Sequence, residues 1–377
     1  MNTLLEAPPT TVDPVSARLA SAARRDTVAR ILDVARWAPS GDNTQPWRFE
    51  ITTLGDVVVH GFDTREHCVY DLDGHASQLS LGALLQTIEI AASGHGLRTR
   101  WLRREGLPAG TPTFDLRFIR DAVAPSPLID AIEQRRVQRR PMPTRPLSAD
   151  EMAAMAAAVG PGYRILWLHT PAQRLRAALL NFSNARLRLT MPEAYPTHRD
   201  IIEWGARFSE DRVPDQALGV DAPTLKLMRF VLGSWSRVSF FNRFLAGTWL
   251  PRLQMDLLPG LACAAHLVLL AERTPTSVDD HVEAGRAVQR LWLTATRLGL
   301  HQQPQMTPLI FARYVREGRR FSAEAGLRRD AVALAGRLEA MVGPDAENAV
   351  WMARIGAGPA AQARSLRRPL AQLLRPR

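Results

Sequence analysis

Two stretches of this chain, 203 residues apart, carry the same helical pattern, and that repeat constrains the fold more than any other feature. Gly82-Ala-Leu-Leu-Gln86, running through Ala92 to Gly96-Leu97, aligns without gaps to Gly285-Arg-Ala-Val-Gln289, running through Ala295 to Gly299-Leu300 (285 − 82 = 203). Five positions are identical, and further apolar matches fall on one helical face. Each copy closes on a glycine, which can end a helix in the left-handed conformation. Two amphipathic helices can share such a pattern by chance. The alternative is a duplicated fold whose halves pack about a pseudo-two-fold axis.

Around the repeat, short strands alternate with helices. Val28, Ile31, Leu32 and Ala35 set a helix over Asp26–Ala38, which Pro39 ends. Trp47–Thr52 and Val57–His60 read as a hairpin, and Thr99–Leu102 and Thr113–Ile119 as strands. Ile129–Gln134 is a short helix, Ser148 a helix start, and Tyr163–His169, Leu267–Leu270 and Val350–Ile355 are strands. The expectation is an α+β fold of two related halves, each a mainly antiparallel sheet flanked by helices. The boundaries are a disordered tail over 1–20, a first half over 21–125 and a second over 126–370. Residues 195–255, rich in aromatics, read as helices inserted into the second half, and Arg364–Arg377 as a basic tail.

The net charge of +11 comes almost wholly from arginine, with Lys226 the sole lysine. The arginines are scattered rather than gathered on one face, so no nucleic-acid partner is expected. Guanidinium also grips phosphate by two parallel hydrogen bonds, so a phosphate-bearing cofactor would use a few of them. Cys68 and Cys263 form no C-x-x-C pair, which suits a reducing compartment and gives no metal site. The longest apolar stretch, Leu257–Ala271, is too short to span a bilayer. The start of the chain lacks the pattern of a signal peptide. The expectation is a cytoplasmic protein with a small-molecule substrate and no membrane partner, either a monomer with an internal pseudo-dimer or a homodimer.

The most specific string is Ala38-Pro39-Ser40-Gly41-Asp42-Asn43-Thr44-Gln45-Pro46-Trp47, where Ser40, Asn43 and Gln45 can offer hydroxyl and amide groups to a polar ring edge. It resembles the Pro-Ser-x-x-Asn-x-Gln-Pro-Trp motif of the FMN-dependent nitroreductase superfamily. Gln134-Arg-Arg-Val-Gln-Arg-Arg140 is similar to the family's Arg-Arg-Ser-x-Arg phosphate grip, with Val137 in place of serine. Met352-Ala-Arg354-Ile-Gly356 with Ser365-Leu-Arg367-Arg368 resembles its last strand and basic pair. Gln289–Leu300 looks like its long central helix. The resemblance covers most of residues 25–370 except the insert.

It implies one FMN, held by Ser40, Asn43, Gln45, Arg135, Arg139, Arg367 and Arg368, with Gln303, Met306 and Thr307 in the loop that passes over the flavin. Family dimers build each site from both subunits, so a fused pair carrying one motif per half would keep one site. The implied activity is an FMN-dependent oxidoreductase that uses NAD(P)H to reduce a nitroaromatic, quinone or related small acceptor. The protein orients the cofactor, so no catalytic acid or base is named. Two alternatives stand beside it: a lidded FMN storage protein and a biosynthetic flavin-dependent dehydrogenase. Gly356-Ala-Gly358 has no βαβ unit around it, no G-x-S-x-G elbow occurs, and Glu66-His67-Cys68 lacks partners at ligand spacing.

Overall fold

A computed structural model describes residues 14–245 and 247–375. Residues 1–13 of the expected tail lie outside the described residues, while 14–20 belong to the first helix, α1 (Pro14–Ala35).

Alternation of apolar and polar residues builds the first sheet. β1 (Trp47–Ile51), β2 (Val57–Gly61), β3 (Leu97–Arg103) and β4 (Thr113–Arg120) form an antiparallel sheet of order β1-β2-β4-β3. Its buried face, with Trp47, Phe49, Val57, Val59, Phe114 and Leu116, packs on α1 and on α2 (His75–Ser93). The second sheet contains β5 (Tyr163–Leu168), β6 (Ala265–Ala271), β7 (Leu300–Pro304) and β8 (Ala349–Ala357), in order β5-β6-β8-β7 and again all antiparallel. The two sheets therefore share one strand order. In each, a long helix joins the second strand to the third: α2 in the first, α7 (Val278–Arg297) in the second.

The helices α2 and α7 pack face to face between the sheets, and the repeat explains how closely. A Cβ on Gly82 would stand 1.9 Å from the Val282 carbonyl oxygen, and one on Gly285 2.0 Å from the Leu79 oxygen. The two contacts are reciprocal at the repeat's own offset (282 − 79 = 203). The polar partners are reciprocal too. Gln289 Nε2 donates to Thr87 Oγ1 at 2.9 Å, and Arg290 Nη1 donates to Gln86 Oε1 at 2.8 Å. Only glycine lets two backbones approach like this.

The second sheet carries more around it. α3 (Ala149–Ala158) starts on a capping box of Ser148 and Glu151. α4 (Pro171–Thr190), α8 (Thr307–Arg316) and α9 (Ala325–Val342) cover its outer face. The insert holds α5 (Ala222–Val231) and α6 (Trp235–Phe244), but it is not purely helical. Ile202–Glu203 pairs with Val213–Pro214, and Phe208–Ser209 pairs in parallel with Arg364–Ser365. That last pairing corrects the reading of Arg364–Arg377 as a tail. The chain end returns to the first sheet, where Leu370–Leu373 is helical and the Arg375 amide donates to the Phe49 carbonyl at 2.8 Å. Among the described residues, no helix is long and apolar enough to cross a membrane.

Candidate functional site

A cavity of about 670 Å³ lies where the first sheet's entry loop, the segment after Gln134, the turn after β7, the insert and the chain end meet. That is room enough for a cofactor-sized ligand. Ser40, Asn43, Arg135, Arg139, Gln303, Met306, Thr307 and Arg367 all line it; Gln45 and Arg368 do not.

Its most unusual feature is a group of buried and half-buried cations. Arg135 is 4% exposed and donates from Nη2 to the Trp37 carbonyl at 2.9 Å, while its guanidinium lies 4.6 Å from the Trp292 ring centre. Arg367 is 7% exposed and donates from Nε to the Ala38 carbonyl at 3.0 Å. Arg364 donates from Nη1 to the Glu133 carbonyl at 2.8 Å and lies 4.6 Å from the Trp37 ring centre. The partners of all three are main-chain carbonyls, with no carboxylate among them. The Nε atoms of Arg135 and Arg364 are buried without a partner. Burial first, then repulsion from Arg367 and Arg364, pulls Arg135 well below the usual arginine range. Burial and the neighbouring arginines bring Arg367 down to about 9, and burial with Arg136, opposed by Glu133, brings Arg364 to about 10. Crowded, desolvated like charges are unfavourable unless an anion joins them.

Local structure fixes these positions. Gln138 N donates to Gln302 O at 3.1 Å, strapping the arginine segment to β7. Arg354, fully buried on β8, donates to the carbonyls of Gln138, Arg139, Arg140 and Pro259 at 2.6–3.3 Å. Arg139 lines another part of the cavity. It donates from Nη1 to Ala217 O at 3.3 Å, and the charge acting on it is Asp42 rather than the arginine group. Arg368 turns out toward Asp211, with Nη2 to Oδ2 at 3.1 Å.

The entry loop is strained. Asp42, Asn43 and Gln45 all have positive φ (50°, 64° and 49°), a conformation that side-chain-bearing residues adopt at a cost of about 1–3 kcal/mol each. Side-chain bonds hold it. Ser40 Oγ accepts from Gln45 N at 2.9 Å, and Gln45 Nε2 donates to the carbonyls of Asn43 and Glu210. Gln45 Oε1 accepts from Arg368 N at 2.9 Å. Gln45, fully buried, thus locks loop, insert and chain end together, off the cavity surface. Asn43 Nδ2 donates to Glu210 O and Arg212 O, leaving its Oδ1 buried and unpartnered. Gln303 Oε1 is likewise unpartnered. Met306 and Thr307 start α8, held by Gln305, whose Oε1 lies 2.8 Å from His266 Nδ1.

The insert closes the cavity. Trp235 and Phe241 line it, but Phe244 stays outside, 63% exposed. The wall also holds a polar pair, Tyr70 Oη to His198 Nε2 at 2.7 Å. Burial pushes Tyr70 up and His198 down to about 3, so both are neutral near pH 7. Burial raises Cys68 to about 12, which keeps it a thiol. Sequence reasoning missed Arg364, Trp292, Tyr70 and His198. The density of arginine at the chain end was the one signal for the first, and nothing local marked the others. Among the described residues, no group of His, Cys, Asp or Glu could hold a metal ion.

No protein-family profile matches the chain. The chain is similar to two proteins of Mycobacterium tuberculosis, named "Putative NAD(P)H nitroreductase MT3217" and "Putative NAD(P)H nitroreductase Rv3131". Each is 28% identical over 295 residues, which span 76% of this chain and 78% of the relative.

Proposed function

We propose that the chain is an FMN-dependent NAD(P)H oxidoreductase of nitroreductase type, reducing a nitroaromatic, quinone or related small organic acceptor. The observation that carries this reading is the group of buried Arg135 and Arg367 with half-buried Arg364, whose hydrogen-bond partners are carbonyls alone. A terminal phosphate matches it in charge and in donor geometry. Val137, where the family places serine, gives no hydroxyl, and Arg364 supplies an extra donor. Asn43 Oδ1 and Gln303 Oε1 are the acceptors left for the edge of a flavin ring. Met306 and the start of α8 would lie along that ring.

A bound flavin would supply the chemistry of hydride transfer between the nicotinamide and the acceptor. The chain's own part is to hold the phosphate, fix the ring edge and keep water out with Trp235 and Phe241. The names of the two relatives support the NAD(P)H part of the reading. The shared strand order and the reciprocal α2–α7 contact support residues 21–125 and 126–370 as related nitroreductase-like halves of one duplicated chain, with the insert in the second.

A second reading, flavin storage, is favoured by one observation: the insert covers the cavity. Visible spectroscopy of the FMN-saturated protein separates the two. An oxidoreductase bleaches on NADPH or NADH and recovers its colour with a quinone or nitroaromatic. A storage protein keeps its flavin oxidised, and a protein that retains no FMN removes both readings.

A further inference from the structure

The outer surface of the insert is apolar to a degree unusual for a face turned to water. Phe230, Phe240, Phe244, Leu245 and Trp249 are 52–63% exposed. Four rings form a connected run, with centres 6.3 Å apart for Phe230–Phe241, 6.1 Å for Phe241–Phe240 and 5.2 Å for Phe240–Phe244. Single exposed apolar residues are ordinary, but contiguous patches mark interaction sites.

The charge on this face is one-sided. From Ala222 to Met255 the sequence has no aspartate or glutamate, and Lys226, Arg229, Arg237 and Arg243 are all exposed. The cations stand beside the rings: the Arg237 guanidinium is 4.4 Å from the Phe230 ring centre, and that of Arg243 is 5.4 Å from Phe244. Leu227, Leu245 and Leu250 are exposed and also line the cavity, so this face and the cavity share a wall.

We propose that this face docks on an anionic lipid surface, its rings at the acyl boundary and its cations among the headgroups. Aromatic residues interleaved with cations suit that interface, where apolar contact and attraction to anionic lipid add. A second copy of the chain fits less well. A two-fold self-contact would set these cations against one another with no carboxylate to separate them. The sequence-level expectation of no membrane partner rested on the lack of a spanning segment, and surface docking needs none. The proposal stands apart from the cofactor assignment.

Co-sedimentation of the full chain with phosphatidylcholine vesicles, with and without phosphatidylglycerol, tests it. The protein should pellet with the anionic vesicles and be released at high salt. Phe240→Ser with Phe244→Ser should weaken binding at least tenfold, given the apolar area two such side chains bury. Arg229→Gln with Arg237→Gln should weaken it about fivefold per cation. Arg117→Gln with Arg120→Gln, which removes two exposed cations from β4, should leave binding unchanged. All three double variants replace exposed residues, and their circular dichroism should match the parent. Three outcomes overturn the proposal: no binding to anionic vesicles at low salt; equal losses for the β4 variant, which would mean bulk charge alone; or a parent dimer that the Phe240/Phe244 variant dissociates, which would give the face to a second copy.

Discussion

Two hollows border the paired helices α2 and α7, and Leu79 lines both. The larger, about 670 Å³, contains the Arg135, Arg364 and Arg367 group, whose hydrogen bonds go only to carbonyls, beside an ion pair of Arg188 and Asp256. The smaller, about 380 Å³, pairs its half-buried Arg313 with a carboxylate: Arg313 Nε lies 2.7 Å from Asp73 Oδ2, and the His75 and His281 rings stack at 3.6 Å. Burial, Arg313 and His281 bring His75 down to about 3, so that stacked pair is not a second cluster of cations. The two hollows beside this helix pair thus differ in how their cations are met. A cation group whose hydrogen bonds reach no carboxylate favours an anionic ligand, while one that is already paired does not.

The frame itself is the first place to break that comparison. Gly82→Ala and Gly285→Ala each drive a Cβ into a backbone carbonyl that cannot swing aside. Each should cost about 3 kcal/mol in urea unfolding, at the upper end of overpacking effects. Nearly equal losses are expected, because the two contacts are reciprocal. A large loss at one glycine and none at the other would break the symmetric seam.

The arginines sharpen the contrast between the hollows. Arg135→Gln or Arg367→Gln should weaken FMN binding about ten- to a hundredfold, from the roughly 1.5–3 kcal/mol of a charged hydrogen bond. Riboflavin, which lacks the phosphate, should change far less. Arg139→Gln should matter less than either, since Arg139 acts with Asp42, and Arg313→Gln in the smaller hollow should leave FMN binding unchanged. Equal losses for FMN and riboflavin would make the arginine group structural.

Acid titration compares the hollows by another route. His198 in the larger and His75 in the smaller both sit near 3 when folded, against 6.5 when unfolded, with burial the first cause. The unfolded chain binds the extra protons, so their stabilisation is full above pH 6.5 and is lost as pH falls toward 3, by up to about 1.4 kcal/mol per pH unit each. Burial-raised Asp42 and Asp256 act in the opposite sense, so the readout is the difference between parent and variant. His198→Asn and His75→Gln should each flatten the acid limb by about one proton. An unchanged slope would mean that the histidine is already accessible to solvent.

The smallest effect concerns the cover. Trp235→Ala or Phe241→Ala should raise quenching of the bound flavin by iodide, while Phe244→Ala, outside the cavity, should not. A large fall in melting temperature with unchanged quenching would make the pair ordinary core.

Much of the frame was legible in the sequence because it depends on local periodicity. Both strands of the first hairpin and the α2 and α7 helices follow directly from apolar spacing and glycine stops. The repeat aligned Gly82 with Gly285; that the two meet in the helix seam came only from the structure. The helices α4, α8 and α9 escaped notice, since arginines are interspersed among their apolar positions. The chain end reads as a tail because its order comes from distant partners, Gln45 and Phe49, that no local pattern reveals. Within the site, residue type was legible and direction was not. Arg364, Arg367 and Arg368 look alike in sequence, yet the first two line the cavity and the third pairs with Asp211. Gln45 looked like a cofactor ligand; its side chain lies off the cavity surface, bonded to Asn43, Glu210 and Arg368.

The central claim is that a single hollow takes the cofactor. Acid-released flavin, measured against protein after saturation with FMN and removal of the excess, tests it most directly. The account predicts one FMN per chain. A ratio near two would show that the smaller hollow binds as well, and a ratio near zero would show that the arginine group serves another anion.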